Sequence, residues 1–284
     1  MIGPRRLWIG VLAVVIGITA VLVGANQWRV ASRRQARRAE ASHKADVRRQ
    51  LFEEIRPVHL ANCELKRFGE PHDGGYPLCV NLLGAVKAGY SYGISGYDGW
   101  GCDVSRQLHV TVHQYDCFDL REPPCPGGST VFHGECIGTA KTTEDGRPFD
   151  TLGSQFARNG HADTPIVMKI DVEGAEWDSF LFAPDSVLAH IDELDVEFHH
   201  VEDPKYVAAM QRLKRFFYVA HVHYNNFSCD PALGPFPSWA FEVLFVNKRI
   251  AATDGSPAPA SDSVVDAANN PAGPDCQAPA RGAL

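Results

Sequence analysis

The 284-residue chain is 45% hydrophobic and carries a formal net charge of −7, enough apolar material for one sizeable core once its ends are set aside. The charge is uneven: residues 1–50 sum to +8, residues 51–250 to −12 and the tail from Ala251 to −3. An acidic domain of catalytic size repels a phosphate backbone, which argues against nucleic acid and leaves small molecules, sugars or proteins as substrates.

Leu7 to Ala25 is a run of nineteen uncharged residues after a short tail, 1–6, that carries Arg5 and Arg6. It is long enough to span a bilayer and is read as a single-pass membrane anchor. A cleaved signal peptide ending at Val23-Gly24-Ala25 is the second reading. Residues 26–50 form a basic, Ala-rich stalk, helical in part, and the basic residues that follow the span argue for a domain on the cytoplasmic side. Eight cysteines argue the other way, toward a lumenal or extracellular domain. None forms a CxxC pair and their spacings fit no zinc template, so they are disulfides or ordinary thiols.

The folded domain is expected over 51–250. Asp73-Gly74-Gly75-Tyr76 makes a tight turn. Ala88 to Ser95 reads as a first core strand running into a glycine-rich turn with Gly93, Gly96, Gly99 and Gly101, before a helix over 102–108. The glycines would let backbone pass close under a cofactor, although the match to G-x-G-x-x-G is poor. His109 to Phe118 alternates as a second strand and ends at Asp116, where an acid in an α/β nucleotide fold accepts bonds from ribose hydroxyls; a plain turn aspartate is the alternative. A proline- and glycine-rich loop, a short strand over 130–138 and a helix over 147–160 follow.

Val167 to Trp177 is an apolar run that breaks off in Asp171, Glu173 and Glu176 around Gly174. It predicts a buried strand that delivers carboxylates to the rim of a sheet, the ligand-binding edge of an open α/β fold. Capping of the next helix is the plainer use for those acids. A helix to Leu188 leads to the strand Leu194–His200, which places Glu197 and His199 on one face and His200 on the other. A helix over 204–216 and strands over 217–226 and 239–247 complete the domain. The order of strands and helices predicts a mostly parallel α/β sheet with helices on both faces. The Ala- and Pro-rich tail, 251–284, is expected to be disordered.

Lys169-Ile-Asp-Val-Glu-Gly-Ala-Glu176 resembles, nearly letter for letter, the signature of FkbM-type S-adenosylmethionine-dependent methyltransferases. The segment Tyr90-Ser91-Tyr92-Gly93-Ile94 stands where that family binds its donor, and Tyr115-Asp116 fits the acid after its second strand. The segment around the Asp73 turn resembles the one preceding the core in the methyltransferase-like branch, which makes it a lid or site loop. The resemblance covers about 62–248 and implies a class I, Rossmann-like methyltransferase domain behind a transmembrane helix. It implies S-adenosylmethionine as cofactor, with Gly93, Ser95 and Asp116 holding it and Asp171, Glu173 and His199 as catalytic groups. His221 and His223 are further base candidates, with Glu197 an orienting carboxylate. The implied reaction is O-methylation of a sugar or other small hydroxylated acceptor, on the side of the membrane where the donor is made, the cytoplasm. A metal shared by Asp171, Glu173 and His199 is conceivable but not demanded. An idle methyltransferase fold serving as a tethered binding module, and a nicotinamide oxidoreductase, are the competing readings.

Overall fold

The computed structural model describes residues 4–258 and 265–276, with side chains from Asn26 onward. The chain divides into two units, Met1–Asp46 and Val47–Leu284. Helix α1 (Pro4–Glu54) accounts for the first and continues into the second. The anchor expected over 7–25 lies outside the residues whose side chains are described, and among the described residues no helix is long and apolar enough to cross a membrane. The domain starts at Val47, not at Leu51. Val47, Leu51 and Ile55 are buried at helical spacing, a three-residue apolar stripe that the surrounding basic residues mask in the sequence.

A seven-stranded sheet organises the domain. In chain order its strands are β3 (Ala88–Tyr92), β4 (Thr111–Tyr115), β5 (Ser129–His133), β9 (Ile166–Ile170), β10 (Ile191–His199), β11 (Phe217–Tyr224) and β12 (Ala240–Asn247). They lie side by side in the order β11-β12-β10-β9-β3-β4-β5. The five from β5 to β10 are parallel, whereas β12 runs antiparallel between β10 and β11. The result is a mixed α/β architecture with a large, mostly parallel sheet, compatible with a Rossmann-like fold. Two small sheets accompany it: the hairpin of β1 (Leu65–Gly69) and β2 (Gly75–Cys79), turned by Asp73-Gly74 as expected, and a three-stranded sheet of β6 (Cys136–Ile137), β7 (Thr142–Glu144) and β8 (Arg147–Asp150).

The helix expected over 147–160 is therefore half strand: α3 spans only Leu152–Arg158, because Thr151 caps its start and Pro148 sits in β8. α2 (Gly99–Leu108) begins three residues earlier than expected, since Asp98 caps it by accepting the Gly101 N–H at 2.8 Å. Gly99 and Gly101 thus belong to a helix, and the turn itself holds Gly93 and Gly96, both with positive φ. The helix expected after Trp177 breaks before Pro184 into α4 (Glu176–Phe182) and α5 (Asp185–Ala189), whereas α6 (Pro204–Phe216) lies where expected, with Asp203 as its cap.

The faces of the sheet differ. On one, Tyr90, Met168, Val196, Phe198 and Phe245 pack under α3, α4, α5, α6 and the end of α1. On the other only α2 is a long helix; beside it the hairpin brings Phe68, Tyr76 and Leu78 onto Val112, Val167 and Leu244. Alternation along β10 sends Glu193, Asp195, Glu197 and His199 to this second face, all buried. Burying such a stripe costs several kcal/mol per charge unless protons or partners neutralise it. Burial pushes the Glu193 carboxyl up to about 8 and raises Asp195 and Glu197 well above the carboxylate range, while Glu197 accepts from Tyr76 and Asn225 and faces His199.

The tail from Ala251, expected to be disordered, is ordered against this face over 251–258 and 265–276. Val58 bridges Pro257, Asn269 donates to Glu242 at 2.7 Å, Asp275 faces His223 at 3.1 Å, and Cys276 is bonded to Cys229. Its few apolar residues could not drive a core, but the buried polar stripe gives it partners that composition does not reveal.

Two outcomes test this arrangement. The bond between Cys229 and Cys276 closes 47 residues, a constraint worth about 4 kcal/mol in the chain-entropy account; Cys229→Ser with Cys276→Ser should lower stability in urea by about 2–4 kcal/mol, and an unchanged midpoint would mean the tail carries no load. The second concerns pH. Burial lowers the His223 pKa, but the hydrogen bond and charge of Glu242 and the charge of Asp275 outweigh it and hold it at about 9, against an ordinary 6.5. That contribution is complete below pH 6.5 and lost as the pH rises through 9. Glu193, at about 8 against 4.5, acts in the same direction, so its penalty grows between those values. The thermal midpoint should fall steadily from pH 6 to 9, and a flat profile there would contradict these assignments.

Candidate functional site

After β5 the chain returns to the far side of β3, so β3 and β9 flank the point where the strand order reverses. Ligands of open α/β sheets bind outside the carboxyl ends of the strands at such a point. A cavity of about 220 Å³, open on one side, lies here. It falls below the about 300 Å³ at which ligand pockets commonly begin. Gly93, Ser95 and Asp116 line it from the ends of β3 and β4, Asp171 and Glu173 from the exit of β9, and Ile137 and Phe149 from the small three-stranded sheet. Five of the six expected site residues therefore share one cavity wall. The sixth, His199, stands behind it, with Nε2 3.4 Å from Glu173 and 3.8 Å from Asp171.

Each position has a local cause. Gly93 has φ +70°, and a Cβ there would collide with the carbonyl oxygen of Asp171, so only glycine lets the ends of β3 and β9 approach this closely. Lys169, buried in the interior of β9, aims its ammonium at the carbonyls of Tyr92 (3.3 Å) and Gly93 (3.1 Å) and lies 3.4 Å from Asp171 Oδ2. Asp116 accepts four backbone N–H bonds, from Ile94 and Ser95 through Oδ2 and from Phe118 and Asp119 through Oδ1, at 2.7–3.0 Å. Its carboxylate thus ties the glycine turn to the loop after β4 as well as lining the cavity. The disulfide between Cys117 and Cys136, two more lining residues, ties that loop to β6.

His199 is fixed by Glu176. This fully buried carboxylate accepts from the Gly174 N–H at 2.8 Å through Oε2, and from the His199 N–H at 2.8 Å through Oε1, which also lies 3.1 Å from His199 Nδ1. Burial favours the neutral ring, but the hydrogen bond to Glu176 and the charges of Glu176, Glu197 and Asp171 outweigh it and push the His199 pKa up to about 9. A ring held protonated at neutral pH is a poor general base. Tyr76, from the hairpin, reaches Asp171 Oδ2 at 3.4 Å and Glu197 Oε2 at 3.3 Å, while Asn225 donates to Glu197 Oε1 at 2.8 Å. Asp171, Glu173 and His199 each offer one ligand atom within 4.8 Å of the others, a set able to hold a metal. Exposed Trp239 stacks on His200 with ring centroids 5.8 Å apart and lies 6.2 Å from the His199 ring.

His221 and His223 are not brought to the cavity. Both sit on β11 beneath the tail, facing Asp266 and the pair of Glu242 and Asp275. Sequence reasoning misses Lys169 and Tyr76 as site residues, although a lysine inside an otherwise apolar strand is a readable signal for the first. Tyr76, in the hairpin turned at Asp73, contacts Asp171 without lining the cavity.

Among known proteins, no protein-family model matches the chain, and no curated protein matches it significantly.

The brace predicts a separation between two neighbouring carboxylates. Glu176→Gln removes the charge that holds His199 and should cost about 3 kcal/mol in urea unfolding; Glu173→Gln, with its side chain 82% exposed, should stay within about 0.5 kcal/mol. Equal effects would show that Glu176 is not the structural partner.

Proposed function

We propose that the chain is an S-adenosylmethionine-dependent methyltransferase of the FkbM type with a class I, Rossmann-like domain, acting on a hydroxyl of a sugar or other small acceptor. The observation that carries the reading is the coincidence of two independent lines. The residues carried over from the resemblance, Gly93, Ser95, Asp116, Asp171 and Glu173, are scattered along the sequence, and they line one cavity at the switch point of the sheet. The antiparallel strand β12 between β10 and β11 also suits the class I form better than an all-parallel dinucleotide fold. The poor glycine fingerprint counts against a nicotinamide cofactor.

In this reading the donor lies over Gly93 and Ser95, along the turn that Asp116 holds through its four backbone N–H bonds, and the acceptor enters from the open side of the cavity. The methyl group passes from sulfonium sulfur to acceptor oxygen as the S–C bond breaks and the O–C bond forms, and the hydroxyl proton passes to Asp171. Much of the acceleration comes from alignment of the two reactants, and the base adds about 10² to 10⁴. Membrane anchoring is proposed on the sequence of residues 7–25 alone. As for the side of the membrane, the pairing of all eight cysteines supports an oxidising compartment, which we propose in preference to the cytoplasmic side. The donor must then be delivered there.

Calorimetric titration of the full chain in detergent with S-adenosylmethionine tests the reading. Saturable binding is expected, weakened at least tenfold by Asp116→Ala, equivalent to about 1.4 kcal/mol, with no binding of nicotinamide dinucleotides. A folded chain that binds no S-adenosylmethionine would overturn it. Thiol titration of the unreduced protein should find no free cysteine, and reduction should weaken donor binding by loosening the wall formed by Cys117 and Cys136; several reactive thiols in the native protein would return the domain to the cytoplasmic side.

A further inference from the structure

We propose that Asp171, Glu173 and His199 hold a first-row divalent cation, Mn²⁺ or Zn²⁺, on the rim of the cavity, with open coordination positions toward the side from which a second reactant enters. The imidazole is the decisive group. Its side chain is 4% exposed, and its Nε2 is aimed at the rim, where the carboxylate oxygens of Glu173, Asp171 and Glu197 stand 3.4, 3.8 and 3.9 Å away. These separations are long for hydrogen bonds. They are close to the spacing of atoms that share one ion, which at about 2.0–2.2 Å from the metal lie about 3.0–3.6 Å from each other.

The other side of the ring is built as metal-binding histidines are built. Nδ1 lies 3.1 Å from Glu176, a carboxylate that is fully buried and itself pinned by the N–H groups of Gly174 and His199. A carboxylate on Nδ1 fixes the tautomer that leaves the Nε2 lone pair free for a metal and raises its basicity. Cap formation at α4 does not account for this pairing, since α4 has Ala175 at its N-cap and no side-chain cap. Glu173, largely exposed, is free to swing in as the third ligand.

One nitrogen with two carboxylates suits Mn²⁺ or Zn²⁺ better than Mg²⁺ or Ca²⁺, which prefer sets made only of oxygen. On the methyltransferase reading, which this last point alone depends on, the open positions take the acceptor hydroxyl. The ion lowers the pKa of that hydroxyl, so its proton leaves to solvent before methyl transfer and Asp171 serves as a ligand in place of a base.

The test uses the full chain in detergent, stripped with a chelator and titrated calorimetrically with MnCl₂, ZnCl₂ and MgCl₂, with bound Mn²⁺ followed in parallel by loss of the free-ion electron paramagnetic resonance signal. One Mn²⁺ or Zn²⁺ per chain is expected, bound at least tenfold more tightly than Mg²⁺ and weakened at least tenfold by Glu173→Gln, whose exposed position keeps the variant folded. Asp171→Asn should act likewise. The proposal is overturned if the folded wild-type chain binds neither ion stoichiometrically. It is equally overturned if both variants bind as the wild type does, because the ion would then sit elsewhere, for instance at His113 and His133 on the opposite face of the sheet, whose ring nitrogens lie 3.1 Å apart. S-adenosylmethionine titration in chelator separates this from the functional reading. Donor binding without ion binding sinks only the metal site, and ion binding without donor binding sinks only the methyltransferase.

Discussion

The site depends on one close approach, that of the ends of β3 and β9 at Gly93 and Asp171. The backbone of one strand crosses so near the carbonyl of the other that no side chain fits between them. Two clustered carbonyls at the end of β3 would repel one another in a buried rim, and the Lys169 ammonium offsets this by donating to both. With the two strand ends locked, Asp171 is left facing the cavity and the chain beyond it must turn sharply through Glu173 and Gly174, both at positive φ. That turn puts Glu176 under His199. A small steric constraint in the sheet is therefore transmitted, through a lysine and a carboxylate, to the orientation of an imidazole on the neighbouring strand.

The second determinant is the asymmetry of the two faces. The apolar face needs nothing beyond helices, and its aromatic residues supply the hydrophobic stabilisation of the domain. The opposite face carries acids along β10 and histidines on β11, and only elements with their own polar groups can cover it. The hairpin contributes Tyr76 and the Cys79 N–H, which reaches Glu193 at 2.8 Å, and the tail contributes Asn269 and Asp275. Disulfides fasten both covers, between Cys63 and Cys79 for the hairpin and between Cys229 and Cys276 for the tail. Covalent fastening suits the tail, which buries little apolar surface of its own, whereas the hairpin adds its disulfide to the buried Phe68, Tyr76 and Leu78.

Much of the fold was legible because its strands are short apolar runs bounded by helix caps and prolines. β9, β10 and β12 fall where the pattern puts them, and α6 is marked by Asp203 and Pro204. The departures have common causes. Phe149, Leu152 and Phe156 carry helix-like spacing, but Phe149 pairs in a small sheet, and the period alone does not tell the two apart over so few residues. The tail reads as disordered because its partners are buried polar groups, which leave no hydrophobic pattern in the segment that meets them.

The main-sheet strands, the acidic motif at Asp171 to Glu176 and the glycine at position 93 could be read in the sequence, because burial periodicity, turn chemistry and backbone freedom are local properties. Only the tertiary structure decided that Asp116 spends its carboxylate on four backbone N–H groups, that all the cysteines pair, and that Glu176 turns inward to hold His199 while Glu173 turns out to solvent. These are relations between residues distant in sequence, or between neighbours sent to opposite sides by one tight turn. They follow from how β3, β9 and β10 stack at the switch point, a geometry that no single segment contains.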